Sequence, residues 1–215
     1  MGGPAIKPYR NSIFLAEKTK HRKAKEAADD LRSSLKKMRT DHFDLYQFHA
    51  VSTSEDVDTI MGPGGAIEAF IKAQEQGLIR FIGFSAHSEE AALSLLAAFK
   101  FDTVLFPINY VTWYQGNFGA SVVNRAVETG TGILALKSLA QTVRQNNDKK
   151  WNKAWYRPIE NYHQAKLALK WTLSKPVTSC VSPSHSDLLW WMVDAEKEKF
   201  HLGDDNLLEL KTSAA

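Results

Sequence analysis

At 215 residues, with an ordinary apolar fraction and mixed charge, the chain can build one substantial core and is neither disordered nor fibrous in composition. Its formal charge of +3 comes from 27 basic and 24 acidic residues interleaved along the chain, which excludes the basic footprint of a nucleic-acid binder. The lone Cys180 excludes an internal disulfide and agrees with a reducing compartment, while the opening MGGPAIKPYR lacks a leader pattern and no run is long enough to span a bilayer, so a single cytoplasmic domain over 1–215 is expected.

Short apolar runs alternate with helix-period segments. Residues 12–18 (SIFLAEK) form a strand candidate, followed by a charged helix over about 22–38 with Ala24, Ala27, Ala28, Leu31, Leu35 and Met38 as its stripe. A second strand is expected over 43–49 and a second helix over 64–76, with Gly77 at positive φ after its last turn. The third pair is 79–84 and 88–99, with Ser88 and Glu90 suited to an N-cap and first turn. The fourth is 102–106, a long loop through Pro107 and Gly116, then a helix over 120–129. The fifth is 132–136, a polar, Trp-rich stretch over 137–160, then a helix over 162–173. The sixth is 177–181 and 187–199, and the tail beyond Gly203 has room for one short helix.

Six strands each followed by a helix imply right-handed crossovers and a parallel sheet, the α/β class. No G-x-G-x-x-G follows any strand, which favours a barrel over a dinucleotide-binding open sheet. A closed (βα)8 barrel takes about 250 residues, and six units fall two short of it.

The strings FLAEKT, SLKKMRTDHFDLYQFH, EQGLIRFIGFSAHS, FPINY, GTGILALKSLA and ALKWTLSKPVTSCVSPS, in that order and spacing from about residue 5 to 200, resemble the aldo/keto reductases. The resemblance implies an incomplete TIM-barrel fold whose six βα units match strands 3 to 8, with the site at their carboxyl ends. It implies hydride transfer between NADP(H) and a small carbonyl or alcohol substrate, NAD(H) staying open. Lys18 matches the family's catalytic lysine, whose ammonium lowers the pKa of a tyrosine phenol. His49 matches the histidine that orients or polarises the substrate carbonyl. Ser85 matches the serine that holds the nicotinamide carboxamide, although Ala86 stands where an asparagine is usual. Lys137, Ser138 and Leu139 match the pyrophosphate segment, and the loop holding Ser182 and Ser184 matches the adenosine-phosphate site. The family's glutamine falls near Leu105 and its aromatic platform on Leu136.

The resemblance also implies a loss at the amino end. GGPAIKPYR resembles the stretch after the family's aspartate and proton-donating tyrosine, so neither has a counterpart, and Tyr9 belongs to the connection before the first strand. Two readings follow: a reductase whose proton comes from elsewhere, or an inactive cofactor-binding or oligomer-forming partial barrel. An open barrel exposes strand edges, which implies a homo-oligomer through those edges.

Weighed without the family, Lys18 is a strand-end lysine facing water, His49 a satisfied structural histidine, and Ser85 the punctuation of the following helix. His87 suits a loop or cap. The other histidines show no metal-ligand spacing, so no metal is expected. The tryptophans suit packing, with Trp151 and Trp155 alone placed in a loop able to shape a pocket. The charge run from Lys18 to Asp30 suits a solvated helix face.

Overall fold

A computed structural model describes residues 2–145 and 150–214. It divides into two compact units, Met1–Leu105 with Glu128–Thr131, and Phe106–Val127 with Gly132–Ala215.

The first unit begins with a short helix α1 (Gly2–Ile6) and a 3-10 turn (Lys7–Ser12), then runs β1 (Ala16–Thr19), α2 (Ala24–Met38), β2 (Phe43–Val51), α3 (Ser54–Met61), α4 (Ala66–Glu75), β3 (Ile79–Ala86), α5 (Glu89–Ala98) and β4 (Thr103–Pro107). The strands pair in the order β1-β2-β3-β4, all parallel. Helix α2 buries Ala27, Leu31 and Leu35, one stripe at helical spacing, and stops at Arg39, whose φ of 54° turns the chain out of the helix. Glu26 in its first turn and Lys36 and Lys37 in its last complement the helix dipole.

Alternation along β2 and β3 sends two sets of side chains to opposite faces. One face carries Tyr46, Phe48 and Phe84, which pack on Phe70 of α4 and on Phe101; Phe48 stacks on Phe70 at 4.1 Å and Phe84 meets Phe101 edge-on at 4.8 Å. Burying each such ring contributes about 1.5–3 kcal/mol, so this aromatic layer anchors the helices to the sheet. On the other face Lys18, Gln47, Gly83 and Thr103 lie in register across the four strands. Gln47 Nε2 lies 3.4 Å from Thr103 Oγ1, and Gly83 leaves the room they occupy.

The second unit contains α6 (Tyr110–Gly116), α7 (Ala120–Thr129), β5 (Gly132–Leu136), β6 (Ala140–Val143), β7 (Tyr156–Pro158), α8 (Tyr162–Leu173), β8 (Ser179–Cys180), α9 (Ser186–Lys197) and α10 (Asp204–Ser213). β5 and β8 are parallel neighbours, and β6 pairs antiparallel with β7. Trp171 of α8 is buried against Trp113, and its indole N–H donates to Tyr114 Oη at 3.1 Å.

The α/β pattern follows the expected order, with differences of local origin. Lys7–Ser12 forms a 3-10 turn opened by Pro8, and Ser12 Oγ donates back to the Tyr9 carbonyl, so the first strand starts four residues later than expected. α3 replaces part of an expected connection because Thr53 Oγ1 accepts from the Asp56 N–H and acidic residues fill the first turn. α6 interrupts the expected loop after β4, capped by Asn109. The stretch 137–160 holds the β6–β7 pair; its residues 146–149 lie outside those described. Ser88 caps α5 as expected, and Gly77 has φ 71°. No helix among the described residues is long and apolar enough to cross a membrane.

Candidate functional site

In the first unit the carboxyl ends of β1, β2 and β3 bring together Lys18, His49 and Ser85. Lys18 pairs in register with Gln47, and Ser85 with Leu105. Between Phe48 and Val51 the β2–β3 register slips by one residue, so His49 and Ala50 share the place opposite Ser85. His49 is half-buried at this irregularity.

The electrostatics suit neutral polar chemistry. Burial pushes the Lys18 ammonium below its ordinary pKa, and the Glu17 carboxylate beside it acts in the opposite sense. Burial also lowers the His49 pKa, and the charges of Lys18, Lys20, Arg22 and His87 lower it further. A neutral imidazole beside an ammonium can donate one N–H to a carbonyl oxygen while the cation stabilises developing negative charge. Lys18 and His49 are thus electrostatic neighbours, as their strand-end positions imply.

Ser85 is buried and its hydroxyl is engaged: Oγ accepts the Ala50 N–H at 2.8 Å and lies 3.5 Å from the Phe48 carbonyl. It does not cap the following helix, a role taken by Ser88. His87 is exposed just beyond β3. Leu105 is buried.

Arg22, Ala50 and Asp56 belong to this site and were not expected from the sequence. Arg22 sits within the charge run assigned to a solvated helix face, yet it precedes α2 and is mostly buried. It pairs with Asp56 at 2.8 Å and donates to the His49 and Ala50 carbonyls. The solvated reading holds for the exposed Lys25–Asp29 and Arg32–Asp29 pairs. The T-S-E-D string that caps α3 is the one local signal that places Asp56.

In the second unit, Lys137 follows β5 with φ 63°, half-buried, and burial lowers its pKa. Ser138 is fully buried and its Oγ has no hydrogen-bond partner among the described residues, so it is a hydroxyl with an unmet bond. The Leu139 side chain is core, and its carbonyl accepts the Ile159 N–H at 2.9 Å. Ser182 is half-buried and Ser184 exposed, before α9, whose N-cap His185 makes no side-chain cap bond. The first N–H groups of α9 thus take no cap bond from His185 and suit an anion, as Lys137 and the Ser138 hydroxyl do. His185 instead accepts the Lys153 N–H through Nε2 at 3.1 Å, and the Trp151 ring lies 5.2 Å away. Trp151 thus packs, whereas Trp155 is 79% exposed.

A groove of about 250 Å3 between α2 and α4, lined by Ala28, Leu31, Ala69, Lys72, Ala73 and Leu78 among others, contains none of these residues.

The aldo/keto reductase family model matches residues 1–202. An uncharacterized oxidoreductase, YqkF of Bacillus subtilis, is 33% identical over 99 residues, a match spanning 39% of this chain and 29% of that protein. Aldo-keto reductase AKR11C1 from Bacillus halodurans superposes with a TM-score of 0.72 at 19% identity, over 100% of this chain and 76% of that one. An aldo-keto reductase from Klebsiella pneumoniae, solved in complex with NADPH, superposes with a TM-score of 0.71 at 18% identity, over 98% and 72%. At these identities the two structures establish likeness of fold.

Proposed function

The chain belongs to the aldo/keto reductase family, and on that premise we propose that it is an oxidoreductase transferring hydride between NADP(H) and a carbonyl or alcohol substrate. The observation that carries this reading is the strand-end set of Lys18 and His49, half-buried at the carboxyl ends of neighbouring strands, where burial and nearby cations disfavour the protonated imidazole. When bound, the nicotinamide supplies or accepts the hydride. His49 holds the carbonyl oxygen by hydrogen bonding, and Lys18 stabilises negative charge on oxygen and favours proton transfer to it. Ser85 is assigned to the carboxamide, which would share a hydroxyl now engaged by Ala50. Lys137 and Ser138, with the backbone of Leu139, are assigned to the pyrophosphate, and Ser182 and Ser184 to the adenosine phosphate. No lysine or arginine lies in 182–186, so NAD(H) fits the same loop and both cofactors belong in the assay.

Within the same proposal the six parallel strands are the third to eighth of the barrel, and the family's aspartate and tyrosine have no counterpart among them. Tyr9 is 62% exposed on the 3-10 turn, and Tyr46 faces the aromatic layer, so neither supplies a hydroxyl to the strand-end set. The proton then comes from water, from another chain or from a segment of the same protein that precedes residue 1. A homo-oligomer through open strand edges is part of this reading, as is a cytoplasmic setting.

The second reading, a partial barrel that binds cofactor or assembles without turnover, is favoured by Leu105 and Leu136 at the positions of the family's glutamine and aromatic platform. Following NADPH fluorescence on titration, and then its oxidation with simple aldehydes, separates the two. Turnover supports the first reading; binding without oxidation overturns it and leaves the second.

A further inference from the structure

Along β2 the chain takes three steps from Phe48 to Val51 while β3 takes two from Phe84 to Ala86. A bulge of this kind bends the strand and re-aims the side chain beside it. Here it is also strained, because Ala50 has φ 54°, a left-handed conformation that alanine keeps only where its surroundings impose it. Hydrogen bonds impose it from two sides. The Ala50 N–H donates to Ser85 Oγ at 2.8 Å. Opposite, Arg22 Nη2 donates to the His49 carbonyl at 2.9 Å and to the Ala50 carbonyl at 3.2 Å, and Ser52 Oγ reaches the same Ala50 carbonyl at 3.1 Å.

Arg22 is itself held. Its Nε donates to Asp56 Oδ1 at 2.8 Å and its Nη2 lies 3.4 Å from Oδ2, while the Ser52 N–H donates to Oδ2 at 3.1 Å. Asp56 stands in the first turn of α3, where a carboxylate is favoured. A planar guanidinium can span a carboxylate and two carbonyls at once, whereas the single ammonium of lysine is a point charge on a flexible stem.

We propose that Arg22 is a positioning residue for His49, locking the His49–Ala50 bulge so that the imidazole is presented to the substrate carbonyl. This role rests on the carbonyl-reductase reading above. It also accounts for a cation buried beside His49: its contacts go to the Asp56 carboxylate and to backbone oxygens rather than to the ring.

The test is aldehyde reduction by the full chain, well below the unfolding temperature of each variant. Arg22→Gln is expected to lower kcat at least tenfold with KM for NADPH within twofold, and Arg22→Lys, which keeps the charge, to fail to restore it. Adding Ala50→Gly to Arg22→Gln should recover most of the loss, because glycine takes a positive φ without a clamp. A lost charge or a general loosening would not be repaired at that one position. Unchanged kcat in Arg22→Gln, full activity in Arg22→Lys, or no recovery with Ala50→Gly overturns the proposal. If the unaltered chain reduces no aldehyde, the reductase reading has failed, and amide exchange at Ala50 decides the clamp. Exchange at least tenfold faster in Arg22→Gln supports it and unchanged exchange overturns it. Should Arg22→Gln not fold, Asp56→Asn loosens the same clamp and is judged by the same readouts.

Discussion

Asp44 and Arg10, 34 positions apart, form a buried ion pair of 3.0 Å that ties the turn before β1 to the start of β2. The same carboxylate accepts Arg80 at 2.7 Å and the Leu15 N–H at 2.8 Å, and its side chain is only 4% exposed. Removing it leaves Arg10 covered without its counter-charge, so Asp44→Ala should cost about 3 kcal/mol, read as a fall in the urea midpoint with unchanged slope. Burial pushes the Asp44 pKa up, but the bonds from Leu15, Arg80 and Arg10 outweigh it and hold the carboxyl below its ordinary 3.8. This stability is therefore present above the ordinary value and is lost as pH falls through the lower folded one. The variant should show a flatter acid arm than the unaltered chain below about pH 4.

His49 should titrate below the ordinary histidine range, because burial and the charges of Lys18, Lys20, Arg22 and His87 all disfavour its protonated form. Lys18→Met removes one of those charges, so the His49 pKa should rise in an NMR titration of the imidazole. The same variant should abolish reduction while sparing NADPH affinity. Unchanged turnover would remove Lys18 from the mechanism.

Gly83 has no room for a side chain. A Cβ there would lie 2.2 Å from Thr103 Oγ1 and 2.8 Å from the Thr103 carbonyl oxygen, and the backbone atom cannot swing away. Gly83→Ala should push β3 from β4 and destabilise by about 1–3 kcal/mol, measurable by urea unfolding. Removing the partner hydroxyl with Thr103→Ala would leave the backbone clash, so the double variant should recover little.

Asn109 is buried, and its Oδ1 accepts both the N–H and the hydroxyl of Thr112 at the start of α6. Asn109→Ala removes that cap and should cost about 1–2 kcal/mol. Asn109→Asp, which keeps the acceptor, should lose less in thermal unfolding.

Burial pushes the Cys180 thiol up to about 12, so almost none of it is thiolate at neutral pH. Native protein at pH 7.5 should react slowly with iodoacetamide, and the rate should rise sharply once urea unfolds the second unit. Fast reaction of the native chain would show that the thiol is open to solvent.

The βα order, the α2 stripe, the cap at Ser88 and the turn at Gly77 were legible in the sequence because helical period, strand alternation and turn chemistry are properties of neighbours along the chain. Lys18, His49 and Ser85 could be placed at strand ends for the same reason, with the family likeness naming their roles. The T-S-E-D string before α3 and Asn109 before α6 were local signals too, and both were legible in principle. The bulge at His49 and Ala50 was not. It exists because Arg22 reaches carbonyls 27 and 28 positions away and Ser85 accepts an amide 35 positions away. In the sequence Arg22 is one cation in a run of charges, and Ala50 shows no preference for positive φ. Only the tertiary structure decides that this arginine faces inward and that this alanine is strained, because the hydrogen bonds that overcome the local preference come from segments brought together by folding.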